Sequence, residues 1–151
     1  MAAVPDKSSG DNLAPSELFK LFGVDTTGGS TTSTSYVKIG EVAVPAGKVG
    51  TYVEVTAMVT GASVDAGSAT EAGTWDVRIG ETGSEVSKDT FTAGGFGADG
   101  GGSFTINYTI TYYYTPTSDE KTNGFNVQIY AKTADAGSPA MVVHQLLVKG
   151  V

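Results

Sequence analysis

Cysteine is absent from this 151-residue chain, which excludes disulfide stapling, thiolate zinc sites and cysteine nucleophiles while leaving the compartment open. His144 is the sole histidine. Multi-histidine metal sites are thereby ruled out, and any general-base mechanism would hang on one residue near the C-terminus. Basic residues are scarce, 9 against 16 acidic, for a formal charge of −7. Such a chain is repelled by phosphate backbones and anionic bilayers, so neither nucleic acid nor a membrane is an expected partner. No apolar run approaches the roughly 20 residues that span a bilayer. The opening MAAVPDKSSG has neither a basic n-region nor an apolar h-region, so no Sec-type signal peptide is expected.

What is present is strand chemistry. In Ser103–Thr115, SFTINYTITYYYT, the residues Phe104, Ile106, Tyr108, Ile110, Tyr112 and Tyr114 alternate with Thr105, Asn107, Thr109, Thr111 and Tyr113. A period of two fits a strand with one face on a core and one hydroxyl-rich face in water. Similar runs recur between turn signals. They predict strands near 36–44, 49–60, 74–81, 86–92, 103–115, 124–133 and 140–149, bounded by Pro45-Ala46-Gly47, Asp65-Ala66-Gly67, Thr117-Ser118-Asp119 and Asp135-Ala136-Gly137. No helix of useful length fits after Tyr36. The fold class is all-β, two antiparallel sheets forming a sandwich over residues 36–151, with Val53, Val55, Ala57, Val59, Trp75, Val77 and Ile79 among the inward set.

Residues 1–35 differ in composition and read as an extended N-terminal arm and tether. Pro15 and Ser16 offer a helix start, and Leu18, Phe19, Leu21 and Phe22 make an apolar stripe on one or two turns closed by Gly23. The arm either folds back on its own domain or grips a neighbour, with attachment expected through Leu18, Phe19, Leu21 and Phe22. Gly28–Ser35 is a flexible tether. The long loops are expected at 61–73 and 93–102, the latter presenting Phe96 among glycines.

Several patterns resemble chemistry without its context. Gly95-Phe96-Gly97-Ala98-Asp99-Gly100 satisfies GxGxxG, but a strand follows where a dinucleotide site needs a helix. The overlapping Gly94–Asp99 matches part of a calcium-binding repeat in a single copy, whereas such sites are built by stacking. The carboxylates are scattered, no nucleophile elbow occurs, and Asn107-Tyr108-Thr109 is a sequon inside a strand. No enzyme and no cofactor or metal site is expected. Tyr113, Tyr130 and Phe96 are candidates for subunit-interface or glycan contact, since tyrosine serves both.

Val42-Ala43-Val44-Pro45-Ala46-Gly47, Thr74–Gly80 (TWDVRIG), Asn126–Ala131 (NVQIYA) and Met141–Val148 (MVVHQLLV) occur in an order that resembles the jelly-roll β-sandwich virion proteins of tailed phages: capsid decoration proteins, head fibres and tail-fibre tips. The resemblance covers the last three quarters of the chain and transfers no catalytic residue. It implies a jelly-roll sandwich, frequent assembly as a homotrimer, a place on the virion surface, and an N-terminal segment bound to the major capsid protein or another virion surface. A carbohydrate-binding fibre domain and an extracellular filament subunit are the alternatives.

Overall fold

A computed structural model describes residues 20–63, 71–96, 104–134 and 140–150. Nine strands run in chain order: β1 (Lys20–Asp25), β2 (Ser30–Thr31), β3 (Val37–Val44), β4 (Val53–Ser63), β5 (Glu71–Gly80), β6 (Val86–Phe96), β7 (Phe104–Tyr114), β8 (Phe125–Thr133) and β9 (Ala140–Gly150). A short helix, α1 (Ser118–Asn123), joins β7 to β8.

The strands form two antiparallel sheets. One has the order β1-β9-β4-β7, with the short β2 also on β9, and the other has the order β3-β8-β5-β6. With β2 set aside, this is the eight-stranded jelly roll, in which the chain passes between two facing sheets at every connection except the β5–β6 hairpin. Alternation in the sequence drives the layering. Val53, Val55, Ala57 and Val59 of β4 meet Trp75, Val77, Ile79, Val127 and Ile129 of the opposite sheet in one buried cluster. Each valine and isoleucine among them contributes about 1.5–3 kcal/mol of transfer free energy.

The structure departs from the expected elements at both ends of the sandwich. Lys20 to Phe22, expected in a helix, are part of β1, because pairing with Leu146–Gly150 of β9 satisfies their backbone groups more fully than an isolated turn would. Leu13 to Phe19 lie outside the described residues. β1 and β2 fall within the stretch read as an arm and are members of the five-stranded sheet. Ala93 to Phe96, expected in a loop, continue β6.

The helix α1 replaces an expected turn. Thr117 and Glu120 make a reciprocal capping box, and Gly124 ends the helix at φ 83°, where a Cβ would come within 2.9 Å of the Val44 carbonyl oxygen. Only glycine fits that conformation and that gap.

The two long sides of the sandwich differ. On one, the chain between β1 and β3 laces the sheets together: Asp25 accepts the backbone N–H of Glu41, Val143 N–H donates to Gly29 C=O, and Thr133 N–H donates to Ser33 C=O. On the other, β6 and β7 bound a cleft of about 400 Å³ lined by Trp75, Phe91, Tyr108 and Ile110.

Candidate interaction surfaces

The outer faces of the two sheets have opposite characters. On the β3-β8-β5-β6 sheet most of the described outward charged and amide side chains are engaged with one another. Asp76, only 2% exposed, accepts from Ser87 Oγ at 2.6 Å and from Arg78 Nε at 2.7 Å. The Arg78 guanidinium lies 4.1 Å from the centre of the Tyr130 ring and 5.4 Å from that of Tyr36, and Lys132 Nζ sits 4.7 Å from the Tyr36 ring. A second chain of contacts runs alongside. Gln128 Nε2 donates to Glu41 at 2.6 Å and Glu85 at 3.0 Å, Asn126 Nδ2 donates to Glu85 at 2.8 Å, and Lys38 pairs with Glu41 at 2.9 Å.

These bonds have electrostatic consequences. Burial, with the Asp76 charge beside it, raises the Tyr36 phenol above its ordinary value. For Glu85, burial works upward, but the Asn126 amide and backbone N–H groups outweigh it and hold the carboxyl below its ordinary value. The face is a polar surface closed by its own hydrogen bonds, and closed networks rigidify a sheet.

The five-stranded sheet presents the reverse. Leu21 is 58% exposed, and Val24, Met58 and Tyr113 are also exposed on this side, among the hydroxyls of Thr56, Thr109 and Thr111. Among the described side chains, charge on this part of the face is confined to the Glu54–Lys149 pair at 2.8 Å. Tyr113 meets Tyr52 edge to face with centroids 6.0 Å apart. His144 lies exposed on β9, 2.8 Å from Thr60 Oγ1, in a two-member contact. Among the described residues no three histidine or carboxylate side chains gather as a metal ion would require.

The residues singled out from the sequence are therefore dispersed. Leu21 points outward, whereas Phe22, its neighbour in a strand, turns inward, packs against the core and lies over Gly150. Phe22 is thus a core-flanking residue rather than part of an attachment stripe. Leu18 and Phe19 lie outside the described residues. Tyr113 and Tyr130 stand on the outer faces of different sheets, and one face of Tyr130 is covered by Arg78, so the two make no common platform for a sugar. Phe96 ends β6 opposite Glu71. The stacked set Tyr36, Arg78 and Tyr130 was missed by the sequence reading. Its signal exists only after pairing, because Asp76 opposite Tyr130 and Arg78 opposite Gln128 come from strands 50 residues apart, as in 78 and 128.

No protein-family model matches the chain, and no curated protein matches it in sequence. Among solved structures it is similar to that of infectious bursal disease virus Gt strain, at 11% identity and a TM-score of 0.46, over 87% of this chain and 32% of that one. The Gx strain of the same virus gives 13% identity and a TM-score of 0.42, over 87% and 31%. The empty virus-like particle of cowpea mosaic virus gives 12% and 0.26, over 66% and 50%. The chain thus spans about a third of the length of the bursal disease virus chains.

Proposed function

We propose that this chain is a structural virion protein, a capsid decoration protein that binds and stabilises a particle surface. The observation that carries the reading is the contrast between the two sheet faces. One is closed by its own polar contacts, while the other holds Leu21, Val24, Met58 and Tyr113 exposed with little charge among them. Exposed apolar groups gathered on one face mark a surface that is covered in use. The jelly roll supports the assignment as an architecture that viral capsids share with lectins and cupins, although a fold alone does not define an activity.

In this reading the residues before β1, with Leu18 and Phe19, make the attachment together with Leu21, and the sandwich stands outward from the particle. No reaction is involved. Binding energy is multiplied over many copies, so weak individual contacts suffice.

The test uses particles stripped of the protein. Re-addition of the full chain should raise the temperature at which they rupture, and a chain carrying Leu18→Ser, Phe19→Ser and Leu21→Ser should fold with an unchanged melting temperature yet fail to bind. Equal binding by the triple variant, or no gain in particle robustness from the wild type, overturns the proposal.

A further inference from the structure

Apart from the two-residue β2, which pairs with β9 alone, the four edge strands of the sandwich are β1, β3, β6 and β7. Sheet edges invite pairing with other chains, and proteins guard them with charges, proline, bulges or brevity. Three of the four are guarded here. β1 carries Lys20 and Asp25 and has a bulge, β3 carries Lys38 and Glu41 and has a bulge, and β6 carries Lys88 and Asp89. The fourth, β7, runs eleven residues without a charge, proline or glycine, and pairs with β4 in unbroken register from Val53–Tyr114 to Ser63–Phe104. Among the described residues no strand pairs with its other edge.

Beside that edge the packing of the chain is incomplete. The cleft between β6 and β7 opens onto Phe91, Ile110 and Tyr108, which is 39% exposed, and Trp75, which lines it, has an Nε1–H without an acceptor.

We propose that β7 pairs antiparallel with β7 of a second copy about a two-fold axis perpendicular to the sheet, joining two four-strand paths into one eight-stranded sheet. The occupant is a second copy because the strand is complementary to itself. Under such an axis residues of equal parity face one another, so the hydroxyl row Thr105, Asn107, Thr109, Thr111 meets its own copy, and Tyr108, Ile110 and Tyr112 meet theirs on the cleft side. A net charge of −7 opposes association elsewhere on the surface, but this strand brings no like charges together. The partner strand's aromatic row then covers the cleft beside Trp75. The contact is two-fold, unlike the three-fold assembly expected from the sequence, and it stands whether or not the chain is a virion protein.

Sedimentation of the full chain at micromolar concentration tests this, with two charge variants on exposed β7 positions, Thr109→Lys with Thr111→Lys and Thr109→Glu with Thr111→Glu. The wild type should sediment as a dimer. Each variant alone should associate at least about tenfold more weakly, since like charges face each other across the axis, and an equimolar mixture should regain the dimer. The outer-edge N–H groups of β7 pair only in the dimer, so their amide hydrogen exchange, measured on the wild type alone, should quicken on dilution. A monomeric or trimeric wild type, a lysine variant that associates as well as the wild type, or β7 amide exchange independent of concentration would overturn the proposal. So would capture of an unrelated extended peptide along β7 by a chain that does not pair with itself.

Discussion

The Tyr114 hydroxyl sits between the two carboxylate oxygens of Glu120, 2.9 Å from one and 2.7 Å from the other. Glu120 also takes the Thr117 backbone N–H at 2.8 Å and is buried. This carboxylate fastens the end of β7 to α1. Tyr114→Phe keeps the ring against Phe125 and removes only the donor, and should cost about 2 kcal/mol, or roughly 4–8 °C in Tm. Thermal unfolding followed by circular dichroism measures it, and a shift below one degree would show the hydroxyl to be dispensable.

The same contact sets a limit at alkaline pH. Burial first, and then the hydrogen bond and charge of Glu120, push the Tyr114 phenol well above its ordinary value of 10.0. A group whose pKa is raised on folding gives stability that is complete below the unfolded value and lost as pH climbs through the folded one. Melting temperature should therefore fall above pH about 10, and less steeply in Tyr114→Phe. Parallel curves for the two proteins would contradict this.

Arg78 covers a buried carboxylate. Its replacement by alanine leaves Asp76 with Ser87 Oγ alone among its side-chain contacts and strips the cation from Tyr130. A loss of about 2–3 kcal/mol in urea unfolding is expected. Arg78→Lys should recover the charge without the planar stack or the fixed Nε–H, and so regain only part of the loss. Full recovery by lysine would mean that charge alone matters at this position.

Two glycine substitutions should separate crowding from backbone strain. A Cβ on Gly29 would lie 2.7 Å from the backbone carbon atoms of Ile39, and the carbonyl of Gly29 bonds to Val143. Backbone cannot move aside as a side chain end can, so Gly29→Ala should cost about 2–3 kcal/mol. Gly47 has φ +68° and open space around it, so Gly47→Ala should cost only the left-handed strain of about 1–2 kcal/mol. Chemical denaturation ranks the pair, and the reverse order would refute the argument.

The strands from Val37 onward were legible because alternation survives in each: the inward Val53, Val55, Ala57 and Val59 and the outward Tyr52, Glu54, Thr56 and Met58 separate by parity alone. β1 was not legible. Leu18, Phe19, Leu21 and Phe22 fit a helical stripe, and only the distant residues Leu146–Gly150 turn Lys20–Asp25 into a strand. The helix α1 did carry a local signal, Thr117 followed three residues later by Glu120, masked by the brevity of the segment. Surface relationships such as Arg78 over Tyr130 depend on which strands are neighbours, and that order is written in no single segment. The uncharged run of β7 was readable at once, but its meaning waited on learning that β7 lies at an edge.

Because β1 pairs with β9, the sheet is completed by joining the first and last strands of the described chain, Lys20 opposite Gly150. Contacts between such remote residues carry the largest loop-closure entropy of any pairing in the fold and form slowly. These six residues form backbone ladder pairs with β9 alone and are tied to β3 by the Asp25–Glu41 bond, so β1 should dock late and leave early. A chain newly released from synthesis has its β9 edge open until β1 arrives, and during that interval a β1 from a neighbouring copy can compete for the place. Copies held close together would prolong that competition, so local concentration helps to decide whose strand closes each sheet.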